Sequence, residues 1–126
     1  PGSITMAQLQ LFNKFKLAII NDPCMHGKWL TDQFIVDHFC DDDDFKETTK
    51  KSFNIMVSKC CPLYNDKYDY LNVSDSSISW TLFCNTRRID KKSTSFYYIK
   101  MNPEDDPMIS QMDHPKFVAI YNDYKN

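Results

Sequence analysis

The chain has 126 residues, 15 Lys and Arg against 17 Asp and Glu for a formal charge of −2, and is 42% hydrophobic and 14% aromatic. That size suits one compact domain and leaves no room for a two-lobed enzyme. With 2 glycines, Gly2 and Gly27, it lacks the closely spaced glycines that a phosphate loop or a dinucleotide fingerprint needs for backbone approach, which excludes nucleotide chemistry of those types.

Pro1, Gly2 and Ser3 read as the remnant of a cleaved expression tag, so the natural fragment is expected to begin near Ile4 and to come from something longer. From Thr5 to Ile20, Leu9, Phe12, Phe15 and Ile19 recur at spacings of three and four, which predicts one amphipathic helix. Asn21, Asp22 and Pro23 stop it, since proline has no amide to donate and biases its predecessor away from helix. Gly27 to Leu30 offers only a stub of strand. Thr31 is an N-cap for a second helix, with Asp32 in its first turn and Phe34, Ile35 and Phe39 turned inward. The run Asp41 to Asp44 ends that helix and caps a third, expected over Phe45 to Cys60, whose inward face is Phe53, Met56, Val57 and Cys60.

Beyond Pro62 helical spacing gives way to β-branched and aromatic alternation. Strands are expected around Tyr68, Tyr70 and Leu71 or Val73, over Ser79 to Asn85, and over Ser95 to Met101. The nine residues Thr86 to Thr94 between the last two lack glycine and are too long for a tight turn, which predicts an extended hairpin with a mobile, cationic tip. Pro103 to Pro107 reads as an acidic linker, and Lys116 to Tyr124 fits a short helix or a strand equally well.

The order helix, stub, helix, helix, strand, long loop, strand resembles the winged helix-turn-helix superfamily. Lys50-Lys51-Ser52-Phe53 in the third helix, Thr86-Arg87-Arg88 entering the wing and Phe96-Tyr97-Tyr98-Ile99 leaving it are, by eye, closest to the RFX type. The resemblance implies an α+β fold, three helices packed on a small antiparallel sheet with a long basic hairpin, over residues 4–102. Residues 103–126 would follow as a linker and a short C-terminal element. It also implies a DNA-binding module of a larger nuclear protein. Charge is segregated accordingly: Phe45 to Met101 holds ten basic and five acidic residues, and the remainder five basic and twelve acidic. On that model Lys50, Lys51, Asn54 and Ser58 lie against the major groove, Arg87, Arg88, Lys91 and Lys92 grip the backbone, and Lys46 is a further nucleic-acid contact. The alternative partner is a protein or peptide on the same scaffold. Four carboxylates at Asp41 to Asp44 repel phosphates within about 8 Å at physiological salt, unless they fold away.

No catalytic signature stands against this reading. Cys24-x-His26 and His38-x-Cys40 make four potential zinc ligands, but one intervening residue is poor spacing, and His38 and Cys40 differ by roughly 200° around a helix; no metal and no cofactor is expected. Cys60 and Cys61 end a helix, where the dipole disfavours a thiolate. His114, before Pro115, reads as an exposed loop histidine. Trp80, Phe83, Phe96, Tyr97 and Tyr98 could form a base-stacking platform, but a domain this small needs them as core. No run of 18 apolar residues occurs, so no membrane span is expected, and neither is a small-molecule substrate. Five cysteines, two of them adjacent, read as reduced thiols of an intracellular protein rather than a disulfide framework.

Overall fold

The computed structural model describes residues 3–61, 63–65, 70–74 and 78–125. Tyr68, expected in a strand, lies outside them. Helix α1 spans Met6–Ile20 and is opened by a reciprocal cap: Thr5 Oγ1 accepts from Gln8 N at 3.0 Å, and Gln8 Oε1 accepts from Thr5 N at 3.0 Å. Its stripe buries Phe12, Phe15 and Ile19, while Leu9, expected on the same face, remains 39% exposed. A 3-10 turn at Pro23–Met25 leads to strand β1, Trp29–Thr31. Thr31 Oγ1 then caps α2, Asp32–His38, by accepting from Phe34 N at 3.0 Å.

Helix α3 spans Lys50–Cys60, starting later than the apolar spacing predicts. Residues 41–49 are turns, because Thr49 is the better N-cap: its Oγ1 accepts from Ser52 N at 3.1 Å while Ser52 Oγ accepts from Thr49 N at 2.9 Å. Phe45 is nonetheless buried, stacked on Phe15 with ring centroids 4.0 Å apart, so its place in the apolar pattern comes from tertiary packing and not from a helix.

Strands β2 (Leu63–Asn65), β3 (Tyr70–Ser74), β4 (Ser79–Ile89) and β5 (Lys92–Lys100) join β1 in an antiparallel sheet ordered β1-β5-β4-β3-β2. The long loop expected over Thr86 to Thr94 is instead paired almost to its end. The ladder runs through Arg87↔Thr94 and Arg88↔Ser93 to Ile89↔Lys92, leaving a two-residue turn at Asp90 and Lys91 with φ of 52° and 64°. Two consecutive left-handed residues match the right-handed twist of the flanking strands, and that twist wins over the steric preference for glycine at those positions.

The sheet is covered on both faces, by α1 to α3 on one side and on the other by α4, His114–Lys125. The first core gathers Phe15, Phe45, Phe53, Trp80, Leu82 and Tyr97; the second gathers Trp29, Ile89, Phe96, Tyr98 and Phe117. Strand β5 serves both, which is why Phe96, Tyr97, Tyr98 and Ile99 are all 5% exposed or less and read as a continuous apolar run. Those rings and Trp80, at 3%, are core and not a stacking platform. The acidic segment before α4 is anchored: Trp29 Nε1 donates to the Pro107 carbonyl at 2.9 Å, and Tyr98 Oη donates to Asp105. Gly27, at φ 72°, lies so close to Asp105 Oδ2 that a Cβ would meet it at 3.0 Å. His114, expected in a loop, opens α4, and the undecided C-terminal stretch is this helix. The molecule is an α+β fold with four α-helices among the described residues. None of those helices is long and apolar enough to cross a membrane.

Candidate functional site

Two elements carry the cations. Helix α3 presents its first turn beside the β4–β5 hairpin, where Lys50 Nζ donates to the Ser93 carbonyl at 3.4 Å. Ser93 is the cross-strand partner of Arg88, and Lys50 and Lys92 line one hollow of about 320 Å³ with Thr94, Tyr121 and Lys125. Lys50, Arg88, Lys91 and Lys92 therefore gather at one end of the molecule, with exposed Lys51 next to Lys50 on the helix. Thr94 is 2% exposed, and its Oγ1 has no hydrogen-bond partner among the described residues.

The other expected contacts are not with them. Lys46 lies in the turn before α3, its Nζ 3.6 Å from Asp43. Ser58 is exposed, but its hydroxyl donates to the Ile55 carbonyl at 2.8 Å. Arg87 alternates to the opposite sheet face from Arg88; its guanidinium lies over the Phe117 ring at 5.0 Å, and its Nε is buried without a partner among the described residues. Asn54 also turns inward. Its Nδ2 donates to Asp32 Oδ2 at 2.8 Å and its Oδ1 accepts from Tyr97 Oη at 2.7 Å. Asp32 is fully buried and accepts further bonds from Gln33 N at 2.7 Å and Ser95 N at 3.0 Å. This network ties α2, α3 and β5 together, and the exposed side chain between Lys51 and Ser58 on α3 is Ile55, 39% exposed. The helical wheel carries that signal, since 55 stands four residues from 51 and three from 58.

Of the acidic run, Asp44 is drawn back to α1 by Lys14 at 3.1 Å and Asp43 is partnered by Lys46, so two of the four carboxylates have local counterions. On the other side of α3, a hollow of about 620 Å³ between the helix and β3 to β5 is lined by Val57, Cys60, Cys61, Leu71, Cys84 and Tyr97, among others. Burial pushes the Cys61 thiol up to about 12 and raises Cys60 as well, so neither is a poised nucleophile.

The four spaced zinc-ligand candidates separate into two that meet and two that do not. Cys24 Sγ is 3.8 Å from His38 Nε2, which is 2.7 Å from Asp22 Oδ2. Hydrogen bonds from Cys24 first and His38 second hold the Asp22 carboxyl below its ordinary range. His26 Nε2 instead meets the Ile19 carbonyl at 2.6 Å, and Cys40 Sγ reaches towards Asp41. Compared with known protein families, curated proteins and solved structures, the chain matches none.

Proposed function

We propose that this domain is a winged helix, a non-enzymatic module of a larger nuclear protein, which binds duplex DNA through the first turn of α3 and the β4–β5 hairpin. The strand order supports the scaffold: β1 pairs with β5, β5 with β4, and α2 and α3 precede the hairpin in sequence. The observation that carries the DNA reading is the meeting of Lys50 with the hairpin at Ser93, which makes two cation clusters distant in sequence into one surface. Lys50, Lys51, Arg88, Lys91 and Lys92 are the contacts; Ile55 offers an apolar surface of the kind that meets thymine methyl groups.

Binding to random-sequence duplex across a salt series tests this. Five phosphate contacts release counterions with a slope of about −4.5 in log affinity against log salt, so raising salt from about 50 to 200 mM weakens binding on the order of 500-fold. Binding that is absent at low salt, or indifferent to salt, removes DNA from the proposal. A second reading, peptide binding on the same scaffold, is favoured by one observation, the largely apolar hollow between α3 and the sheet.

A further inference from the structure

We propose that Asp22, Cys24 and His38 form a zinc site that staples the 3-10 turn after α1 to the C-terminal end of α2. One oxygen, one sulfur and one imidazole nitrogen lie within 4.8 Å of one another, contributed by two elements 14 and 16 residues apart in sequence. Sulfur, imidazole and carboxylate together are a zinc donor set, and three protein ligands leave the fourth position of a tetrahedron for water or an incoming group.

The distances fit with small adjustments. Around a tetrahedral zinc, sulfur and nitrogen stand about 3.6 Å apart and nitrogen and oxygen about 3.3 Å. Here Sγ to Nε2 is 3.8 Å and Nε2 to Oδ2 is 2.7 Å, so the sulfur closes slightly and the His–Asp contact opens to admit the ion. The ligands are also held in place. Pro23 fixes the backbone between Asp22 and Cys24, and Asp22 Oδ1 accepts from Cys24 N at 3.3 Å, leaving Oδ2 for the metal. The His38 ring is flanked by Phe34 at 5.9 Å and, perpendicular to it, Phe39 at 4.8 Å.

A nucleophilic Cys-His-Asp relay does not explain the cluster. A relay needs the thiol at one imidazole nitrogen and the carboxylate at the other. Here both face Nε2, so the three groups converge on one point in space, as ligands of an ion do.

The test is competition for Zn²⁺ against a chromophoric chelator, on the whole reduced chain. One equivalent is taken up by the unaltered protein. Cys24→Ser and His38→Gln each weaken binding by more than the roughly 10- to 100-fold that loss of a supporting partner costs, while Cys40→Ser leaves it unchanged. Titrating the unaltered chain with Co²⁺ reads the same site without any substitution: a thiolate-to-cobalt charge-transfer band with intense tetrahedral d–d bands is expected. Failure of the unaltered chain to take zinc, tight binding that survives Cys24→Ser, or a weak cobalt spectrum without the thiolate band each overturns the proposal.

Discussion

Asn54→Ala separates a base-reading side chain from a structural one. The substitution deletes two hydrogen bonds, Asn54 Nδ2 to Asp32 Oδ2 at 2.8 Å and Tyr97 Oη to Asn54 Oδ1 at 2.7 Å. Asp32 is 0% exposed and Tyr97 is 2% exposed, so neither partner is already in water. A hydrogen bond to a carboxylate contributes about 1.5–3 kcal/mol, and a stranded buried hydroxyl costs about 1–3 kcal/mol. Asn54 also lines the larger hollow, from which water can reach the vacated space, so the low end of each range applies and the loss is about 2.5 kcal/mol. For a domain of this size that lowers Tm by roughly 10 °C. Urea unfolding with an unchanged m-value reads it directly. Tyr97→Phe alone costs about 1 kcal/mol, and the double variant shows a coupling of about 1 kcal/mol because the two side chains share one bond. DNA affinity per folded molecule stays where it was. A stability loss below about 0.5 kcal/mol, or a change of sequence preference at full folding, refutes the inward assignment.

Arg87 and Arg88 should divide function from stability. Arg87→Ala costs about 1 kcal/mol through its lost contact with Phe117 and leaves DNA binding intact, whereas Arg88→Glu weakens binding to every duplex and leaves Tm within about 2 °C; the reverse pattern in paired melting and binding assays contradicts the face assignment. Replacing Lys91, at φ 64°, with glycine relieves a left-handed residue and raises stability by about 1 kcal/mol in urea unfolding; a loss would mean the turn is not of the two-residue type. Alkaline stability carries the mark of Cys61. Burial holds its thiol at about 12 against an ordinary 9.0, so the unfolded chain releases this proton first. The contribution is therefore complete below pH 9 and is lost at up to about 1.4 kcal/mol per pH unit as pH rises towards 12; Cys61→Ala flattens that limb, and an unchanged slope counts against the assignment.

How much of this could be read in advance depends on the range of the interaction. The cap at Thr31 and most of the inward faces, Phe12-Phe15-Ile19 without Leu9 and Phe53-Met56-Val57 with Cys60 only half-buried, follow from local chemistry, and the structure has them where the spacing says. What local spacing misses is set across the chain. Phe45 sits in the apolar rhythm of α3 but serves Phe15, and Thr49 starts the helix instead. The stretch around Phe117 is ambiguous because only that one side chain is buried, so the periodicity is weak. The meeting of Cys24 with His38 arises because a turn and a helix end are packed together, and Asp22 joins them although it first reads only as a helix stop. Convergence of that kind leaves no trace in residue spacing.

The second core has a consequence for which cations are free. Alternation along β4 sends Arg87 and Ile89 to the α4 face and Arg88 to the α3 face, so a hairpin with nothing behind it would offer both arginines to a polyanion. Helix α4 removes one of them: Phe117 takes the Arg87 guanidinium, and Lys125 approaches Asp90 in the turn to 3.6 Å. It thereby braces the hairpin from behind and leaves Arg88 exposed on the α3 face beside Lys50 and Lys91 exposed in the turn, while Lys92, opposite Ile89 in the ladder, is exposed on the α4 side at the hollow it shares with Lys50. Order at the tip follows from that bracing, since the ladder reaches Ile89↔Lys92 with Ile89 buried. A rigid tip holds its charges in fixed register with α3, which reduces the side-chain ordering that binding must otherwise impose. The C-terminal helix, whose Tyr121 and Lys125 line the hollow shared by Lys50 and Lys92, therefore sets both the orientation and the stiffness of the hairpin.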